Sequence, residues 1–254
     1  MTAHDSRTAL AVGAHPDDIE MLCAGTLVLL RTQGWHVECA TMTSGDCGST
    51  TLSRADISAI RKKEAAASAA LLGGAYHCLE CDDVFVIYDR PTLLKVISLV
   101  RRVRPEIVFT MSPEDYMVDH EVTSALVQTA CFAAGMKNVE TIDAEPFAGI
   151  PHLYYCDPLE GKDKLGNEIK PTTIIDISRI LALKEQMFLC HESQLSWLKD
   201  HHGLDESVRS IRDFARERGS AAGVEYAEGF RQHLGHAFPQ DNILKQVLGD
   251  LART

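Results

Sequence analysis

The chain has 254 residues, 45% of them hydrophobic and 24% charged, an ordinary composition for a soluble globular protein with a sizeable core. A formal charge of −11 with no Lys/Arg block argues against a nucleic-acid partner, and no apolar run is long enough for a membrane span. The eight cysteines show no disulfide framework, Cys78 and Cys81 form one CxxC without a second pair, and the polar start resembles no signal peptide, so a reduced, cytoplasmic protein is expected.

In chain order, Thr8–Ala14 reads as a buried strand that opens onto Ala14-His15-Pro16-Asp17-Asp18. Met21–Gln33 has helical periodicity and stops at Gly34. Val37–Met42 is a second strand, followed by the glycine-bearing loop Thr43-Ser44-Gly45-Asp46-Cys47-Gly48. Ala55–Leu72 is an alanine-rich helix closed by Gly73-Gly74, and a short strand follows around Tyr76–Leu79. Pro91–Val103 is a helix with proline near its start. Glu106–Met111 is a strand whose loop carries Asp115 to His120, and Glu121–Ala134 is the next helix. Strand and helix in alternation mean a parallel sheet with right-handed crossovers, whose ligands gather at the carboxyl ends of the strands. The three loops that follow strands should therefore meet on one edge.

Beyond residue 150 the pattern is less regular. Pro151–Cys156 and Thr172–Ile177 read as strands around a polar, hairpin-like stretch, Glu160–Lys170. Ser178 is expected to cap a helix running to about Trp197. His201-His202 and a helix near Glu206–Arg218 follow. The expected organisation is a single domain over residues 1–254, with a core at about 5–150 and a smaller C-terminal extension at about 151–254.

The acidic turn carries the chemistry. His15 and Asp18, three positions apart, can bind one metal if the chain turns sharply, and Pro16 helps to set that turn. Asp17 cannot easily point the same way as both neighbours, which frees it to act on a metal-bound water. With a further ligand from the Asp119-His120 cluster, this is the outline of a hydrolytic zinc site. The first turn is acidic and lacks GxGxxG, so it would repel a pyrophosphate.

The ordered set of motifs resembles the LmbE-like/PIG-L family of zinc-dependent N-deacetylases. It comprises Ala11–Asp18, Gly25-Thr26-Leu27, Thr43-Ser44-Gly45-Asp46, Arg61 with Glu64, Leu71-Leu72-Gly73, Arg104–Thr110, Asp119-His120, Asp176-Ile177-Ser178, His191 with Ser193-Gln194, and Tyr226-Ala227-Glu228-Gly229-Phe230. The resemblance implies a Rossmann-like, mostly parallel sheet with helices on both faces. It implies one zinc ion per chain on His15, Asp18 and His120, with Asp17 as general base. It further implies removal of an N-acetyl group from an N-acetylglucosaminyl or related amino-sugar conjugate. Without a membrane anchor, a lipid-linked substrate is disfavoured, and a homotrimer or homohexamer is the expected assembly. The family's His-Pro-Asp-His is here Met117-Val118-Asp119-His120, and Met117 can neither stabilise an oxyanion nor donate a proton. His191 is the first candidate to compensate. A zinc-binding but catalytically silent protein and an amidase on another acylated small molecule are the alternatives.

Asp119 reads as a residue that orients a ligand imidazole. Arg61 either binds substrate or pairs with Glu64 or Asp56 on a helix surface, and Asp46 either caps its loop or touches substrate. Met117 is placed among the substrate contacts. Asp82 and Asp83 read as solvated loop carboxylates, with hydrogen bonds to sugar hydroxyls as the alternative.

Overall fold

Strand β1 (Thr8–Gly13) is a run of small and aliphatic residues, and all but the first are buried, as a strand covered on both faces requires. The structure, a computed structural model, describes residues 7–195 and 207–253. β1 pairs in parallel with β2 (His36–Thr43) on one side and β4 (Ile107–Thr110) on the other. β3 (Ala75–Cys81) lies parallel beyond β2, and β5 (His152–Cys156) parallel beyond β4. The sheet then continues in antiparallel fashion through β7 (Ala227–Gln232), β6 (Thr173–Asp176) and β8 (Ala252–Arg253). The order is β3-β2-β1-β4-β5-β7-β6-β8, so strands from the chain's last third share one sheet with the first half.

Helices cover both faces. On one face α1 (Asp18–Leu22), α2 (Ala24–Thr32), α6 (Leu181–Leu189), α7 (Ser207–Ala222) and α8 (Ile243–Leu248) bury Leu27, Leu30, Met187, Ala215 and Leu244 against Phe109, Tyr154 and Phe230. The end of α3 (Arg54–Leu71) joins them through Ala69. On the other face α4 (Arg90–Val103) and α5 (Val118–Ala133) bury Val96, Leu99, Leu126 and Val127 against Leu10, Val12 and Val108. This is the Rossmann-like, mostly parallel α/β architecture expected. The crossovers β1 to β2 and β2 to β3 run one way across the sheet, and the next, β3 to β4, returns to the other side of β1, so a crevice opens at the carboxyl ends of β1 and β4.

The structure departs from the sequence reading in four places. The helix expected over 21–33 begins at Asp18 and breaks at Cys23, which has φ −142 and ψ 1. α5 starts at Val118, three residues before the expected Glu121, so Asp119 and His120 lie in its first turn rather than on the loop. Ser178 does not cap α6, which follows Ile180; its hydroxyl donates to Asp176 Oδ1 at 2.6 Å and accepts from the Tyr226 N–H at 3.1 Å. α6 stops at Leu189, while Trp197, His201 and His202 lie outside the described residues. Glu160–Lys170 folds back through a Lys162–Glu168 bridge. Among the described residues no helix is long and apolar enough to cross a membrane.

Candidate active site

The turn after β1 is closed by its own last residue. Asp18 Oδ2 accepts the N–H groups of Ala14 at 2.8 Å and His15 at 2.7 Å. Pro16 has no N–H that would need a partner there. The chain then passes through Asp17 at φ 107, ψ −22, a left-handed conformation that aspartate tolerates better than most residues. The closed turn holds that strain, worth about 1–3 kcal/mol. It also sends the two carboxylates apart: Asp18 toward the histidines, Asp17 toward Arg61.

Three side chains converge at the crevice. Asp18 Oδ2 lies 3.6 Å from His15 Nδ1, and Asp18 Oδ1 lies 3.5 Å from His120 Nε2. Metal bonds of about 2.0–2.1 Å in tetrahedral geometry place ligand atoms about 3.4 Å apart. The opposite ring nitrogens are both taken. His120 Nδ1 is 2.9 Å from Asp115 Oδ1, and His15 Nε2 is 3.1 Å from Asp83 Oδ1 and 3.4 Å from Asp119 Oδ2. A carboxylate behind each imidazole fixes the tautomer that leaves the inner nitrogen's lone pair free, the arrangement of metal-bound histidines. The donor set and its back-bonding therefore fit one divalent ion on His15, Asp18 and His120. His15, Asp83 and Asp119 form a second grouping of potential ligands. Its carboxylates are committed elsewhere, Asp83 to the Cys47 N–H and Asp119 to the N–H groups of Val84 and Val86. Asp83 Oδ1 and Asp119 Oδ2 both face His15 Nε2, so the grouping also backs that imidazole.

Electrostatics follow from this packing. Burial opposes charge on His15, but the Asp119, Asp18 and Asp83 carboxylates outweigh it and raise its pKa well above the ordinary value. Burial also opposes charge on His120, and Asp18 and Asp115 raise it in turn. Asp18 is buried too, yet His120 and His15 hold its carboxyl below the usual range. Asp17 behaves oppositely: burial raises its pKa, and Arg61 offsets only part of that.

The remaining sequence candidates divide. Arg61 is buried and lines the cavity, but its guanidinium is spent as a brace. It donates to Gly45 O at 3.1 Å and Pro16 O at 2.6 Å, and lies 3.5 Å from Asp17 Oδ2. It is not the surface ion pair with Glu64 or Asp56; Glu64 instead accepts from Ser193. Gly45, at φ +66, is required here, since a Cβ would sit 2.2 Å from Arg61 Nη1. Asp46 does not line the cavity; it accepts from Arg54 Nε at 2.6 Å and from the Asp83 N–H at 3.1 Å, tying two loops together. Met117 does line it. His191 is fully buried and does not line it; its Nε2 faces Glu20 Oε2 at 3.2 Å, and Ser68 also donates to Glu20. The oxyanion role expected for His191 thus has no geometric support. Asp83, expected to be a solvated loop carboxylate, is instead buried behind His15, and Asp115, which the sequence reading gave no role, is buried behind His120. Each sits in a loop after a strand on the edge where the acidic turn lies, which was the available signal.

The Rossmann-type sheet thus sets a His/Asp cluster, with a further carboxylate on Asp17, at its switch point, as in an α/β enzyme. Residues 10–131, just under half of the chain, match the PIG-L family, described as GlcNAc-PI de-N-acetylase, so the chain is similar to that family over this stretch. It is 28% identical to diacetylchitobiose deacetylase of Thermococcus kodakarensis, over 90% of this chain and 84% of that one. It is 26% identical to 4-oxalmesaconate hydratase of Pseudomonas putida, over 89% of this chain and 88% of that one. The solved structure of N,N'-diacetylchitobiose deacetylase from Pyrococcus horikoshii superposes with a TM-score of 0.77 at 26% identity, covering 94% of this chain and 89% of that one.

Proposed function

We propose that this chain is a zinc-dependent N-deacetylase, with one ion held by His15, Asp18 and His120, acting on an N-acetylglucosaminyl or related amino-sugar conjugate. The carrying observation is the trio itself: inner ring nitrogens 3.5–3.6 Å from one carboxylate, outer ones tied to Asp115, Asp83 and Asp119. The deacetylases among its relatives support the amide substrate. When bound, zinc polarises a carbonyl and brings the pKa of water to near neutral.

The chain's residues do the rest. Asp17 takes the proton of the attacking water and returns it to the departing nitrogen, a general acid–base role. Burial, which raises its proton affinity, suits it to both halves of that task. Arg61 holds Asp17 in place and, through Pro16 O, fixes the turn from which it projects. Asp115 and Asp119 keep the imidazoles aligned. Met117 supplies no hydrogen bond to developing charge.

An amine-release screen of N-acetyl sugars and conjugates with zinc-loaded protein tests the reading. Asp17→Asn should retain zinc and lose at least about two orders of magnitude in turnover, whereas Asp18→Asn should lose zinc. Release from no amide, together with addition of water to an unsaturated acid, would move the chain to the hydratase side of its relatives.

A further inference from the structure

Part of the catalytic cavity has no role in the chemistry just described, and that part is apolar. The cavity encloses about 390 Å³, within the range of small-molecule sites. Leu22 and Phe188 are buried in its wall, while Val84, Tyr116 and Leu159 line it yet are 56%, 58% and 37% exposed. Single exposed apolar residues are ordinary on a protein surface. Several converging on one catalytic opening mark a binding surface.

Much of the polar lining is engaged with the protein itself. Arg61 serves Gly45 O and Pro16 O, Gln194 Nε2 donates to Gly48 O, and Asp83 serves His15 and the Cys47 N–H. A ligand reaching past the His/Asp cluster meets hydrocarbon and aromatic ring. Apart from the Tyr116 hydroxyl and Arg61 Nε, hydroxyl groups of a bare sugar placed there would lose water and gain few partners.

Val84 is held in this wall against its backbone preference. Its φ is 72, where a β-branched residue is an outlier. Its N–H donates to Asp119 Oδ2 at 2.8 Å, and the preceding Asp83 faces His15 at 3.1 Å. The bonds that orient His15 therefore also fix an apolar side chain at the cavity.

We infer, resting on the deacetylase reading, that the substrate amide carries an apolar group of several carbons, either a longer acyl chain or an alkyl or aryl aglycone. That group seats against Val84, Tyr116, Leu159 and Phe188. Two compound series separate the two sources: N-acylglucosamines from acetyl to hexanoyl, and N-acetylglucosamine with methyl to hexyl or phenyl aglycones. In one series kcat/KM of the zinc-loaded enzyme should rise by about fourfold per fully buried methylene, and at least about tenfold from end to end. Calorimetric binding of the same compounds to Asp17→Asn, which leaves the amide uncut, should follow the same order. Val84→Asn keeps a residue that tolerates the left-handed backbone and should shrink the end-to-end ratio at least about threefold; Tyr116→Ser is the second variant. Turnover and binding that are flat or falling along both series overturn the inference while deacetylation of the parent acetyl sugar stands. A ratio untouched by both variants overturns it as well. Tighter binding of the longer compounds without amine release supports the apolar subsite and sinks the deacetylase reading instead.

Discussion

Replacing Glu228 with glutamine should destabilise this protein more than replacing its partner Lys184 with methionine. The two side chains are 2% and 1% exposed, and Lys184 Nζ lies 2.6 Å from Glu228 Oε1. The carboxylate has three further donors: Gly25 N–H at 2.8 Å, Thr26 N–H at 2.7 Å and the Thr26 hydroxyl at 2.6 Å. The ammonium donates also to Met21 O at 2.9 Å. Glu228→Gln leaves a buried cation facing neutral oxygens. Lys184→Met leaves an anion that keeps its three donors at the first turn of α2, where helix N–H groups favour negative charge. Deleting one member of a buried pair costs about 3–5 kcal/mol, and Glu228→Gln belongs at the upper end. Lys184→Met should be milder by at least about 1.5 kcal/mol, the worth of one charge-assisted hydrogen bond. For a chain of this size 1 kcal/mol moves Tm by about 2–4 °C, so Glu228→Gln should lower it by roughly 10 °C or more. Urea unfolding followed by circular dichroism reads the difference as a shifted midpoint at constant slope. The double variant buries no charge and should be more stable than Glu228→Gln alone. Equal losses in the two single variants, or a double variant worse than either, would refute the reasoning.

Asp115→Asn should weaken zinc affinity by about 10–100-fold through misalignment of His120, measured by competition with a chromophoric chelator; unchanged affinity would remove Asp115 from that role. His191→Ala should cost about 1–3 kcal/mol of stability by leaving Glu20 without its histidine, with kcat of the folded enzyme changed only a few-fold. A hundredfold loss of kcat at unchanged Tm would return His191 to the chemistry. Arg61→Lys keeps the charge but not the planar fork that spans Gly45 O and Pro16 O. Turnover should drop about tenfold with zinc content intact, and an unaffected enzyme would show that the brace does not position Asp17.

What could be read from the sequence was what is local. The turn from His15 to Asp18 closes on itself within four residues, so its geometry is implicit in residue type and spacing. The edge on which the loops meet follows from strand–helix alternation. What escaped depends on distant packing. Asp83 looks like a solvated acid until the fold places His15 against it, and Asp115 differs from its neighbour Glu114 only by facing His120. His191 was singled out for a role that spacing cannot test, and its partner proves to be Glu20, a residue of α1 that reads as an ordinary helical acid. The motifs around Gly25-Thr26 and Glu228 were recognisable without any hint that they touch. Gly25 is required because a Cβ would lie 2.8 Å from Ile177 Cγ2 and 2.9 Å from Glu228 Oε1.

That clamp also sets an order of events during synthesis. Gly25 and Glu228 are 203 residues apart, so at about 5–20 residues per second the acidic turn leaves the ribosome roughly 10–40 s before its anchor exists. In that interval the start of α2 lacks the anion that fixes it, and β5 lacks the β7 edge that later shields it. The residues that would hold metal are made first, and the support that steadies them is made nearly last. A chain truncated before Glu228 would thus carry every proposed ligand yet present them on an unsupported turn.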